Sequence, residues 1–122
     1  APIESALFAK KVNCKVIGIF SSNYSKVAPL SKHGKRLSEL SDIYIDNYGP
    51  PGDALVEITE GIKVSAFSTI AGSFILNSII AETAKLAIND DPFPFYISSN
   101  MPKSKNHNEK LFNKYKFRNP HL

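Results

Sequence analysis

The stretch from Val64 to Asn89, VSAFSTIAGSFILNSIIAETAKLAIN, constrains this chain more than any other part of it. Apolar residues recur at Ile70, Phe74, Ile75, Ile79, Ile80, Leu86 and Ile88, with small residues (Ala71, Gly72, Ser78, Ala81) between them. A run of this length and spacing predicts one long helix, with an apolar face wide enough to be buried on most sides. Ser68 has the side chain of an N-cap, and Ser68 with Thr69 places two hydroxyls beside the unpaired N–H groups of a helix start. Such a start favours an anion, phosphate included, through its free donors and the helix dipole. The plainer alternative is a simple cap on a core helix.

A chain of 122 residues has room for one modest core. Ser73, Asn77, Ser78, Glu82, Thr83 and Lys85 interrupt the richest apolar run, which argues against a membrane span. Glu4 and Lys10 break up any apolar leader at the start. The lone Cys14 cannot form an internal disulfide, so a reducing compartment, the cytoplasm, is expected. The net charge of +4 resides in the tail: residues 101–122 hold six Lys or Arg against Glu109 alone, while residues 1–100 hold nine against ten Asp or Glu. A basic run without a nucleic-acid motif reads as a solvated face, so neither nucleic acid nor membrane is an expected partner.

In chain order, Pro2 suits the first turn of a helix, Ile3, Ala6 and Leu7 form its buried stripe, and Asn13 can end it. Lys15 to Phe20 (KVIGIF) predicts a strand buried on both faces, as parallel strands are. A polar loop, SSNYSKVAPLSKHGK, follows at the strand's carboxyl end, where α/β proteins bind ligands. Its hydroxyls at Ser21 and Ser25 suit phosphate oxygens, and they equally suit the loop's own backbone. The imidazole of His33 can shuttle a proton, and it equally suits a plain surface histidine in a polar loop. Lys35 and Arg36, at the start of a short helix (35–40), can neutralise a phosphate. A second strand is expected at Ile43 to Asn47 and a third at Ala54 to Ile58, the latter after the Gly49-Pro50-Pro51-Gly52 turn. Asp53 can orient that turn through its side chain. Asp90-Asp91-Pro92 ends the long helix, and Leu111, Phe112 and Tyr115 mark one side of a last helix from about Asn108 to Lys116. The order of elements predicts an α/β fold with a mostly parallel sheet, residues 1–91 forming the domain and 92–122 a C-terminal arm. His33, His107 and His121 lack carboxylates at metal-binding spacing, so no metal is expected.

The run GKRLSELSDIYIDN, then GPPGDALVEI, then STIAGSFILNSIIAE, resembles the C-terminal half of a sugar isomerase (SIS) domain. More narrowly, it is similar to a family of bacterial SIS-domain proteins described as phosphosugar isomerases or phosphosugar-binding proteins. Those carry a Ser-Arg-His-x-Ser-Gly-Lys-Arg-Leu segment; this chain has Ser31, Lys32, His33, Gly34, Lys35, Arg36, Leu37, two residues shorter between His and Lys. PIESALFAKKVNCKVIGIFSSNYS and SSNMPKSKNHNEKLFNKY also resemble that family, so the likeness spans nearly the whole chain.

The resemblance implies a Rossmann-like, three-layer fold that dimerises, of which this chain would be the second half, with the glutamate base and most of the phosphate loops upstream. It implies a phosphorylated sugar as ligand, no cofactor, and aldose–ketose isomerisation as the activity of the longer protein. A non-catalytic sugar-phosphate sensor and a sugar-phosphate ether lyase are the alternatives. By the same resemblance Ser68 and Thr69 would touch the sugar or its phosphate, and Asn77, two turns into the long helix, would reach the sugar. The candidate set is therefore His33 as a catalytic group, with Ser21, Ser25, Lys35, Ser68, Thr69 and Asn77 as binding groups.

Overall fold

The computed structural model describes residues 2–119. It forms two compact units, Ala1–Ile75 and Leu76–Leu122, and mixes helix with strand. The first helix, α1 (Pro2–Lys11), has Glu4 in its first turn and Lys10 and Lys11 in its last, each sign complementing the dipole. Asn13 ends it in the left-handed region (φ 57°), so that the N–H of Cys14 reaches Ala9 O at 2.8 Å and that of Asn13 reaches Lys10 O at 3.2 Å. These two bonds satisfy carbonyls that a helix end otherwise leaves open.

Strand β1 (Ile17–Phe20) pairs in parallel with β2 (Ile43–Asp46), Ile17 facing Ile43 and Phe20 facing Asp46. The connection carries α2 (Ser22–Val27) and the single turn α3 (Leu37–Leu40). The expected open loop after β1 is thus partly helical, because Ser21 caps α2 by accepting the Tyr24 N–H at 3.0 Å. Gly18 is buried, and a Cβ there would collide with the Ser41 side chain just beyond α3. The missing side chain is what lets α3 lie against β1.

The expectation of strands buried on both faces is not met. Ile17 and Ile43, paired at the start of the sheet, are 61% and 59% exposed; face burial comes from layers packed on a sheet, and a pair of strands presents little surface for such layers. The third strand also departs from expectation. β3 (Ala54–Thr59) joins no parallel sheet but forms an antiparallel hairpin with β4 (Ile62–Ala66), turning at Glu60-Gly61 with Gly61 at φ 74°. β4 occupies residues expected to open the long helix, and its β-branched Ile62 and Val64 at alternate positions explain the preference.

The long helix, α4 (Phe67–Leu86), therefore starts three residues later than Val64, and Ser68 lies inside its first turn instead of capping it. No residue of α4 is buried; Phe74 is 73% and Leu86 88% exposed. Two small sheets offer too little apolar surface to cover such a helix on most sides. By length and mean hydropathy α4 is also long enough to cross a membrane, despite its polar interruptions, a measure that core helices of soluble proteins meet as well.

In the second unit, α5 (Ser104–Tyr115) buries Leu111 (2% exposed) and is held to the preceding segment by polar side chains. Asn108 accepts the Ile97 N–H at 3.0 Å and donates to Ile97 O at 2.7 Å, while His107 Nε2 lies 2.8 Å from Phe95 O. The segment from Phe93 on thus packs on α5, which begins four residues before its expected start.

Candidate functional site

At the carboxyl end of β1 the chain turns directly into α2, and at the end of β2 it turns back through Asn47 and Gly49. Several bonds tie these two turns together. The Ser21 hydroxyl donates to Gly49 O at 2.5 Å, and the Asn47 N–H donates to Phe20 O at 3.0 Å. Asp46 Oδ1 accepts the N–H of Ser22 at 3.1 Å and of Tyr48 at 2.8 Å. Its carboxyl titrates below the usual range, first because of the Ser22 side chain, then the Tyr48 N–H, with a smaller contribution from the charge of Lys26. The tied ends form a firm rim.

Against this rim lies an open groove made of two adjoining hollows. The larger, about 420 Å³, is lined on its polar side by Ser21, Tyr24, Ser25, Ser31, Lys35 and Arg36. The smaller, about 320 Å³, is lined by Ser22, Ser25, Lys26, Arg36, Ser38 and Tyr44. Phe20, Ser25 and Arg36 belong to both. Phe20 and Tyr44 stack with centroids 5.7 Å apart and give the groove an aromatic wall. Arg36 is oriented by a bond from Nη1 to Ala28 O at 3.2 Å, and Lys35 pairs with Glu39 at 3.2 Å. Glu39 also accepts the Arg36 N–H at 2.9 Å, and this bond is the main reason its carboxyl is held below the usual range.

Three of the expected residues, Ser21, Ser25 and Lys35, are brought together here. Ser21 is committed to local structure through both its bonds, whereas the Ser25 hydroxyl bonds to no group among the described residues. His33 is not part of the groove. It lines a neighbouring hollow with Ile3, Glu4, Ser31 and Lys32, its Nε2 3.8 Å from Glu4 Oε1, while Lys32 pairs with the same carboxylate. Lys32 is the main reason the Glu4 carboxyl titrates low.

Neither Ser68 nor Thr69 lines the groove. The start of α4 is already occupied by a carboxylate of the chain itself. Asp53 accepts the Ser68 N–H on Oδ1 and the Ser68 hydroxyl on Oδ2, both at 2.7 Å, and its carbonyl accepts the Phe67 N–H at 2.9 Å. Asp53 is therefore the cap of α4 rather than a device of the Pro-Pro-Gly turn. A negative charge at that position opposes a phosphate. Asn77 lies on α4 in the second unit.

Lys26, Ser38 and Tyr44 carried no signal as site residues. Ser22, Ser25 and Lys26 stand at helical spacing on α2, which becomes readable only once that segment is known to be helical. Among the described residues no cluster of His, Cys, Asp or Glu is arranged to hold a metal ion.

No family model matches the chain. Over its whole length it is 37% identical to a UPF0309 protein of Brucella canis and to another of Brucella melitensis biotype 2. It is 39% identical to a UPF0309 protein of Brucella anthropi. In each case the match covers 100% of this chain and 50% of the relative, so the chain spans about half the length of the curated relatives it matches.

Proposed function

We propose that the groove at the carboxyl ends of β1 and β2 binds the phosphate and ring of a phosphorylated sugar. One observation carries the reading: a hydroxyl and two cations from separate parts of the β1–β2 connection, Ser25 of α2 with Lys35 and Arg36 before α3, converge on one cavity at that end of a parallel pair. A phosphate monoester brings nearly two negative charges and three acceptor oxygens. Arg36 offers a planar fork of donors to those oxygens, and Lys35 adds a second positive charge. The Phe20 ring fits the C–H face of a sugar, and Ser25 is placed to bond a sugar hydroxyl. The resemblance to sugar isomerase domains supports the same ligand class.

Aldose–ketose isomerisation requires a base at the C1–C2 bond. Among the described residues no carboxylate or imidazole lines either hollow, and His33 stands beside Glu4 outside the groove. The observation favours binding as the contribution of this chain, with isomerisation a property of a longer protein of the relatives' length, expected in the cytoplasm as a homodimer. The test is calorimetric titration of the chain with a panel of hexose and pentose phosphates, beside Arg36→Ala and Ser25→Ala, together with an assay for turnover. Binding without turnover is expected, and Arg36→Ala should weaken it about ten- to hundredfold, the size of a charged hydrogen bond worth about 1.5–3 kcal/mol. Absence of binding to every sugar phosphate, or full affinity in Arg36→Ala, overturns the proposal.

A further inference from the structure

The groove holds more positive charge than one phosphate needs. Lys35 and Arg36 serve the larger hollow; Lys26 stands on the far side of Phe20 and Ser25, in the smaller one. Lys35 is paired with Glu39, but among the described residues neither Lys26 nor Arg36 makes an ion pair. The charge of Lys26 acts on Asp46, whose carboxylate is already engaged by Ser22 and the Tyr48 N–H. Ser22 and Ser38 add hydroxyls to the smaller hollow, and Tyr44 lines it. The two hollows thus repeat one chemistry, cation with hydroxyls, on either side of a shared arginine and an aromatic wall. Repeated cation sites joined through one cavity suit a ligand charged at both ends. Each interaction gains from the low-dielectric aromatic wall, which screens less than bulk water.

We infer that the groove takes a sugar carrying two phosphate groups, one in each hollow, with Arg36 between them and Lys26 as the residue that selects the doubly phosphorylated ligand. This rests on the reading of the groove as a sugar-phosphate site and adds the ligand's second anchor. Lys26 acts on specificity and is not asked to touch a reacting atom.

The experiment is titration of the chain with fructose 1,6-bisphosphate, fructose 6-phosphate and fructose 1-phosphate, for wild type, Lys26→Gln and Lys26→Arg, with melting curves for all three proteins. Wild type should bind the bisphosphate at least tenfold more tightly than either monophosphate. Lys26→Gln should abolish that preference while leaving one monophosphate within about twofold of wild type, and Lys26→Arg should restore it. Because Lys26 is exposed on α2, its melting temperature should not move. Equal affinities for monophosphate and bisphosphate in wild type overturn the inference and leave the sugar-phosphate reading standing. A preference that survives Lys26→Gln, or is not restored by Lys26→Arg, also overturns it. No binding of any of the three sugars defeats the underlying reading as well.

Discussion

Asp42 shows how much a single side chain ties together in this chain. Its carboxylate takes the Lys10 ammonium at 2.7 Å and the Val16 N–H at 2.8 Å, with Lys15 3.6 Å away. It thereby joins the end of α1, the start of β1 and the start of β2. Lys10 first, then the Val16 N–H, hold its pKa down to about 2 from 3.8. A carboxyl with a depressed folded pKa contributes stability above its unfolded pKa and loses it as pH falls through the folded one. Melting temperature should therefore drop between about pH 4 and pH 2, and Asp42→Asn should flatten that part of the profile; equal slopes in both proteins would deny Asp42 this role. Asp53 is the other decisive residue. Asp53→Ala removes the cap of α4 and should cost about 0.5–2 kcal/mol in chemical denaturation, with Asp53→Asn recovering part of it. Of these residue-scale features, Asn13 as a helix stop was legible in the sequence, since Asn tolerates the left-handed region and stands just past a last turn that carries Lys10 and Lys11. Asp53 was not legible as a cap, because its partner is fifteen residues away and only the intervening hairpin brings them together.

At the scale of elements, α1, α3, β1, β2 and the last helix were readable from local pattern, and the hairpin was not. β4 runs into α4 without a loop, so the apolar pattern from Ile62 to Leu86 passes from one period to another with no polar break. The only punctuation, Glu60-Gly61, precedes the strand and marks the turn instead. α4 accordingly begins at Phe67, three residues after Val64. The hydroxyls that do meet at the groove were legible as residues of a loop after a parallel strand; their company with Lys26 and Tyr44 depends on α2 and on the β1–β2 register. α5 depends on one side chain in a way sequence does not reveal. Asn108 satisfies both backbone groups of Ile97, as a neighbouring strand would. Asn108→Ala leaves a partly buried N–H and C=O unpaired and should destabilise the second unit by about 1–3 kcal/mol. Asn108→Asp keeps the acceptor alone and should fall between. Hydrogen exchange at the Ile97 amide reports the effect directly, and unchanged protection in Asn108→Ala would reject it.

For the molecule as a whole, the apolar content was legible and its placement was not. The sequence predicts a core helix and strands covered on both faces, yet among the described residues the apolar side chains that are buried are Ala6 in the first unit and Leu111 in the second. Ile17, Ile19, Ile43 and Ile45 alternate with Gly18, Phe20, Tyr44 and Asp46, so the four isoleucines lie on one face of the sheet. Periodicity reports that such a face exists; it does not report what covers it. Parallel pairs are stable chiefly when both faces are covered, and two strands alone are marginal in water. Exposed apolar patches of this kind drive association. The chain in isolation should therefore self-associate, its weight-average mass in sedimentation rising between about 1 and 100 µM, a range in which interfaces worth about 6–8 kcal/mol become populated. Replacing Ile17 and Ile43 together by lysine should lower that mass, because two charges on the isoleucine face oppose its burial. A monomer at every concentration, or an oligomer indifferent to the double substitution, would show that this face is not what associates and would shift attention to the exposed residues of α4.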